Sequence, residues 1–337
     1  MKIGNFDLLK RVFVVAEIGN NHEGSFSLAE ELIGQAAAAG VDAVKFQTFV
    51  PENYVSRDQN ERLERLRKFA LSFEQFCSLA RLANQQGLQF FSTPFDLTSA
   101  DALASFCPAI KISSGDNSFF PLIERVASFR KPVIFSTGLA SFADVEKAID
   151  RLMKVWSDLD HTGELALLHC VSSYPTPSAF ANLAAIRALS IRFREHVIGY
   201  SDHTLGNDAA ILSVGLGARI IEKHFTLRKD FSDFRDHQLS ADPMEMASLV
   251  RGVRLAEELI GDEAGETTEV EEPNRLAMRR SIAAGRAMRA GHVLSDNDLT
   301  WVRPGGGFAP GDEALVVGRA LSRDVLLGQI LNDDDFR

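Results

Sequence analysis

Two histidines, two lysines and a glutamate stand where short apolar runs of this chain stop abruptly. His203 closes the segment Ser201-Asp202-His203-Thr204, and His224 closes Glu222-Lys223-His224. Imidazoles on neighbouring strand ends suit a divalent transition metal that keeps open coordination positions. Of the carboxylates beside them, Glu222 is expected to face outward by strand alternation. Lys45 and Lys111 end two other runs; lysines are seldom buried without a partner, so this pair points to an anionic ligand. Hydroxyls at Ser92, Thr93, Ser113, Ser114, Ser136, Thr137 and Ser201 end further runs and can donate to phosphate or carboxylate oxygens. Glu17 ends the first run inside AEIGNNHEG, Ala16–Gly24, where a carboxylate can serve as general acid or base with burial tuning its pKa. Asp236 and His237 fall in the loop after the last run, within reach of the same mouth.

The elements that must position these groups follow from the same punctuation. Apolar runs at Val12–Ala16, Ala43–Val44, Gln89–Phe91, Ala109–Ile110, Val133–Phe135, Leu165–Leu168, Val197–Ile198 and Arg219–Ile221 each stop at polar residues. Between them lie stretches with apolar positions three and four apart, such as Phe73–Gln86, Phe142–Val155 and Pro243–Ile260, with Ser72 and Asp242 as N-caps. Buried parallel strands alternating with helices, with polar residues at the strand C-termini, predict a (β/α)8 TIM barrel. Met1–Leu9 precedes the first strand and is expected to close the barrel bottom as a strand.

The chain has 337 residues and a net charge of −10. A barrel needs about 250 residues, which leaves room for a further module. The expected division is a barrel over 1–261, an acidic linker over 262–277 and a small strand-rich module over 278–337. The acidic balance argues against nucleic acid as a partner. No run of about 18 apolar residues occurs, and no signal peptide opens the chain, so a soluble cytoplasmic protein without a membrane partner is expected. Cys77, Cys107 and Cys170 have no metal-type spacing and read as reduced thiols.

The motifs are specific enough to carry a resemblance over nearly the whole chain. KFQT (Lys45–Thr48), STPF (Ser92–Phe95), KISSG (Lys111–Gly115), STG (Ser136–Gly138), HCVSSYPTP (His169–Pro177), GYSDHT (Gly199–Thr204) and EKHFT (Glu222–Thr226), with the glutamate motif above, resemble the sialic acid synthase (N-acetylneuraminate synthase) family. Arg303-Pro304-Gly305 and Gly318 resemble its C-terminal antifreeze-like (SAF) domain. The resemblance implies an enzyme that condenses phosphoenolpyruvate with an N-acylated hexosamine and releases phosphate. It implies Mn2+ or Mg2+ on His203 and His224, and phosphoenolpyruvate on Lys45, Thr93, Lys111, Ser114, Ser136 and Ser201. Glu17 would work near the metal in proton transfer or in activating the attacking water. Gln47, Tyr174 and Asp236 would face the sugar, and Arg303 would reach it from the second subunit of a domain-swapped homodimer.

The chain departs from the neuraminate enzymes on the sugar side. Asp116 stands where they carry Glu, Ser172 where they carry Asn, and the loop between Gln47 and Phe73 is shorter. The reaction class is therefore read more firmly than the acceptor, for which N-acetylmannosamine and a 2,4-diacetamido-trideoxyhexose stand equal. Another phosphoenolpyruvate-dependent barrel synthase, acting on a different aldose or aldose phosphate, is the alternative. A carbohydrate- or ice-binding role for the last 60 or so residues is the non-enzymatic one, and the intact lysine and histidine set speaks against it.

Overall fold

A computed structural model describes residues 1–261 and 269–337, which fall into two compact units divided after Gly261. In the first unit a short antiparallel hairpin, β1 (Lys2–Ile3) and β2 (Phe6–Asp7), precedes the strands β3 (Phe13–Gly19), β4 (Ala43–Thr48), β5 (Gln89–Pro94), β6 (Ile110–Ile112), β7 (Val133–Ser136), β8 (Leu165–Cys170), β9 (Val197–Asp202) and β10 (Ile220–His224). These eight form one parallel sheet in the order β5-β4-β3-β10-β9-β8-β7-β6, and β5 and β6 lie side by side to close it. The fold is the TIM barrel expected.

Burial on both faces explains why these segments read as near-continuous apolar runs. Every residue of β3 is buried, and outside β4 and β5 aromatic rings bind strands to helices: Phe46 contacts Phe76 and stacks on Phe90 at 5.3 Å between centroids. Helices α1 (Phe26–Ala38), α2 (Pro51–Tyr54), α3 (Asn60–Phe69), α4 (Phe73–Gln85), α5 (Leu97–Leu103), α6 (Phe120–Ser128), α7 (Phe142–Asp158), α8 (Ala184–Arg192), α9 (Asp208–Gly215), α10 (Arg235–Leu239) and α11 (Pro243–Ile260) surround the strands. Capping boxes at Ser72 and Asp242 start α4 and α11 where the sequence places them. Helices α2 and α3 occupy the stretch read as a plain loop. Helix α3 carries only Leu63 and Leu66 as buried residues, too narrow an apolar stripe to stand out among its charges.

The barrel bottom is closed by the hairpin rather than a single strand. Ile3 and Leu8 are fully buried, Phe6 packs on Phe13, and the Leu8 carbonyl accepts from Arg219 Nε. Beside it Asp42 accepts from the Val14 amide and from Arg254 of α11 at 2.6 Å, and pairs with Arg11. This carboxylate joins the first and last parts of the barrel.

In the second unit α12 (Glu272–Met278) leads into the antiparallel pair β11 (Ser281–Ala284) and β12 (Leu299–Val302). Isolated bridges such as Met288–Val325 and Val293–Ala320 hold the rest around a core including Ile282, Val316, Leu321 and Leu331. It has less strand than expected. The expected linker, 262–277, lies outside the described residues over 262–268 and contributes its end to α12.

Asp42→Ala leaves the Val14 amide and the Arg254 guanidinium without their acceptor. The expected loss is about 2–4 kcal/mol, read as a lower midpoint in urea unfolding; an unchanged midpoint would remove Asp42 as the tie between the barrel's ends.

Candidate active site

Side chains two apart on a strand share a face, and residues paired across parallel strands point the same way. Register therefore builds the site. Glu17 of β3 is paired with Lys45 on one side and His224 on the other. Ser201 of β9 is paired with Glu222 of β10 and with Cys170 of β8, and Gln47 of β4 with Thr93 of β5. All point into the barrel mouth, where they line a cavity of about 480 Å3 together with Lys111, Ser114, Ser136, Ser172, Tyr174, His203 and Asp236.

The expectation that Glu222 faces outward is wrong. It lies two residues before His224 and must share its face, while Lys223 between them points away to Asp202 at 2.7 Å. Inside the mouth Glu222 is the hub of a buried charge cluster. Lys111 Nζ lies 3.2 Å from both its oxygens, Lys45 Nζ 3.5 Å from one, and Ser201 Oγ donates to it at 3.0 Å. Lys45 also pairs with Glu17 at 2.8 Å and donates to Thr93 Oγ1. Gln47 Nε2 donates to Glu17, and Asn20 in turn orients Gln47.

Protonation follows from burial and these neighbours. Burial, aided by the Glu222 charge and opposed by Lys45, holds Glu17 above the usual carboxylate range. Burial opposes the charge of Glu222, but the Lys111 and Lys45 ammoniums overcome it and pull the group down to about 2. Lys45 is raised because its two carboxylates outweigh burial. Lys111 is lowered by burial, which its one carboxylate does not offset.

The histidines meet as expected, with ring centroids 5.5 Å apart. His203 Nδ1 bonds the Val171 carbonyl at 2.8 Å, which leaves Nε2 facing the mouth. Burial, then the His203 and Lys45 charges, holds His224 neutral, well below the usual imidazole range, and its Nδ1 has no hydrogen-bond partner. Two imidazoles with a free nitrogen each fit a divalent cation. Among the described residues no group of three or more His, Cys, Asp or Glu is arranged to hold one, so most positions on such an ion would be open to substrate and water.

Further unpartnered polar atoms point into the same cavity: Ser136 Oγ, Ser172 Oγ and Asp236 Oδ1, the last 3.6 Å from Arg235 Nε. Gly138 keeps the space beside Ser172 and Ser114 open. Its amide donates to Ser114 Oγ at 3.2 Å, and a Cβ there would lie 2.6 Å from Ser114 Oγ and 2.6 Å from Ser172 Oγ. Tyr174 packs against His203 with the rings tilted and their centroids 4.1 Å apart, and the Arg235 guanidinium lies 5.1 Å from the Tyr174 ring centroid.

Not every expected residue reaches the cavity. Asp116 sits in the turn after β6, where it accepts from Ser113 Oγ at 2.6 Å, and it is not among the lining residues. Arg303 is an exposed residue of the second unit, directly after β12. His169 and Asp202 face away from the mouth: His169 bonds the Ala181 carbonyl and Asp202 accepts from Tyr200. Glu23 and His237 bind each other at 3.0 Å, tying the turn after β3 to the loop after β10. The cavity also gains Tyr54, Phe95, Leu139 and Cys170, none singled out from sequence. Cys170 follows from parity with Leu168 on β8, and Tyr54 belongs to the unrecognised α2.

The NeuB family model matches residues 32–265 and the SAF domain model residues 279–337. The chain is 40% identical to an uncharacterized protein of Methanocaldococcus jannaschii over 96% of this chain and 94% of that protein. It is 38% identical to the N,N'-diacetyllegionaminic acid synthase of Legionella pneumophila over 95% and 93%. Among solved structures, N-acetylneuraminic acid synthetase of Leptospira borgpetersenii in complex with citrate superposes with a TM-score of 0.76 at 33% identity, covering 81% of this chain and 94% of that one.

Glu222→Ala strands the Lys111 ammonium in the barrel interior and leaves Lys45 with Glu17 alone. Urea unfolding is expected to show a loss of about 3–5 kcal/mol, against the near-zero cost of an outward-facing surface residue; a near-zero value would remove Glu222 from the hub.

Proposed function

The chain belongs to the NeuB family, and from that premise we propose that it is a nonulosonic acid synthase, joining phosphoenolpyruvate to the aldehyde of an N-acylated hexosamine. The observation that carries this reading is the convergence, in one cavity, of two lysines, a set of open hydroxyls and two adjacent histidines. The first two suit a small phosphorylated carboxylate, and the third suits a divalent cation beside an aldehyde.

In the reaction a carbon–carbon bond forms between the methylene carbon of phosphoenolpyruvate and the sugar C1. Water adds at the enol carbon, the bond from that carbon to the phosphate oxygen breaks, and inorganic phosphate leaves while the aldehyde oxygen gains a proton. Lys45 and Lys111 neutralise the phosphate and carboxylate, with Thr93, Ser114, Ser136 and Ser201 donating to their oxygens. Such donors, fixed in a dry pocket, act without reorganisation as charge moves to the leaving group. Glu17 is placed beside Lys45 and His224, and its raised pKa suits it to carry a proton to or from the attacking water. His203 and His224 would hold Mn2+ or Mg2+, which would supply Lewis acidity toward the aldehyde oxygen. Gln47, Ser172, Tyr174 and Asp236 face the sugar.

The acceptor is an N-acetylmannosamine or a diacetamido-trideoxyhexose, and the enzyme works in the cytoplasm. Arg303 completes the sugar site from the second subunit of a domain-swapped homodimer. None of the described helices is long and apolar enough to cross a membrane, which accords with a soluble biosynthetic enzyme.

Phosphate release from phosphoenolpyruvate with Mn2+, scanned across these acceptors, tests the reaction: release that depends on a sugar supports it, and none with any sugar rejects it. His224→Ala is expected to abolish metal-dependent release while the circular dichroism spectrum stays unchanged; full activity would reject the metal role. Chains carrying Arg303→Ala and chains carrying His224→Ala should regain turnover when mixed, because a mixed dimer holds one barrel and one Arg303 that are both intact. Without any recovery, Arg303 does not act across subunits.

A further inference from the structure

The outer faces of β9 and β10 carry a charged pair that the reaction does not use. Asp202 and Lys223 are partners in the strand register and point away from the mouth, each one residue before a histidine. Their side chains are 0% and 2% exposed, and Lys223 Nζ lies 2.7 Å from Asp202 Oδ2. Lys223 also donates to the Thr204 carbonyl at 2.6 Å. Asp202 Oδ1 accepts from the Thr204 amide at 2.8 Å and from the Tyr200 hydroxyl at 3.0 Å. Tyr200 in turn stacks on His169 of β8 with centroids 5.6 Å apart, and His169 is fixed to the Ala181 carbonyl.

This network encloses His203. The residues before and after it are bound to each other, and both are bound to Lys223, the residue before His224. The register between β9 and β10 ends at Asp202 and Lys223, so the two histidines lie one residue beyond it. On its other side His224 is still paired with Glu17 of β3; the freedom left is therefore between the histidines themselves. The His203 ring is steadied by the Val171 carbonyl, whereas His224 Nδ1 has no partner and the place of that ring follows its backbone. Side chains thus take over where the strand ladder stops. A buried ion pair adds little net stability, because desolvation of two charges offsets their attraction. What it adds here is direction: one lysine must reach a carboxylate and a carbonyl while that carboxylate meets a backbone amide, and a shift of β9 along β10 breaks at least one of these contacts.

We propose that Asp202 and Lys223 are the positioning pair of the metal site: from outside the barrel they set the separation of His203 and His224, 5.5 Å between ring centroids, and through it the affinity for a divalent cation. The inference rests on the reading of these two histidines as metal-holding. Groups behind a metal's ligands act on affinity by fixing where the ligands stand, and with only two protein ligands that spacing has nothing else in the mouth to correct it.

Asp202→Asn/Lys223→Met removes both charges together and nearly keeps their volume, so no lone ion is left inside. Mn2+ binding is read without substrate, from the electron paramagnetic resonance signal of free Mn2+, and circular dichroism reports whether the variant is folded. Wild type is expected to bind, His224→Ala is not, and the double variant is expected to bind about tenfold to a hundredfold more weakly. Phosphoenolpyruvate, which the lysines hold, should titrate metal-free wild type and double variant alike. Asp202→Asn alone, which keeps an acceptor for the Thr204 amide, is read in the same way should the double variant not fold. Unchanged Mn2+ affinity in a folded variant overturns the proposal. So does an equal loss of affinity for phosphoenolpyruvate, which would make the pair a general brace of the barrel. A wild type that binds no Mn2+ overturns the metal reading and the proposal together. Histidine-dependent Mn2+ binding that weakens in the variant, with no phosphate release from any acceptor, overturns the synthase reading and leaves the positioning pair standing.

Discussion

The structure depends on one buried cluster of opposed charges. Lys111 on β6 and Glu222 on β10 are separated by three intervening strands in the sheet order, so their contact at 3.2 Å crosses the barrel interior. Lys45 joins Glu222 to Glu17 on the other side. An isolated ion this deeply buried costs several kcal/mol, and only close partners with further hydrogen bonds recover it. The barrel meets that condition with Thr93, Ser201 and Gln47, each from a different strand. All of this holds only while strands on opposite walls keep their separation and register. The aromatic layer outside the strands and the Asp42 tie at the bottom serve the same end, because a one-residue slip of β10 would turn Glu222 and His224 out of the mouth.

The cluster also shapes what can enter. Both ammoniums already have carboxylate partners, so a neutral ligand gains little from them. A ligand with several anionic oxygens can take over the lysines and reach the unpartnered hydroxyls of Ser136 and Ser172 as well. Selectivity for such a ligand would thus come from competition with the built-in carboxylates, as well as from positive charge.

Legibility in the sequence tracked the strength of periodic constraint. Parallel strands buried on both faces leave apolar runs that stop where the barrel ends, so the fold and most mouth residues could be read from them. Capping chemistry was local enough to find at Ser72 and Asp242. Glu222 was misplaced although its spacing from His224 contained the answer: residues two apart must share a face, and the lysine between them pairs outward with Asp202. Helix α3 was missed because two buried leucines in a charged stretch make no stripe. Asp116 read as a site residue by position, whereas its carboxylate is taken by Ser113 in a tight turn.

These misses have a common geometry. Residues on strand ends are fixed by a period of two and by register, so their direction follows from sequence once the barrel is recognised. Residues on the loops that overhang the mouth obey no period, and their aim depends on contacts far along the chain, such as Glu23 with His237 or Gly24 with the Lys68 carbonyl. The lysines, histidines and most hydroxyls belong to the first class, while Asp236, Arg235 and Tyr54 belong to the second. A barrel can therefore hold its charge cluster constant while its loops are remodelled.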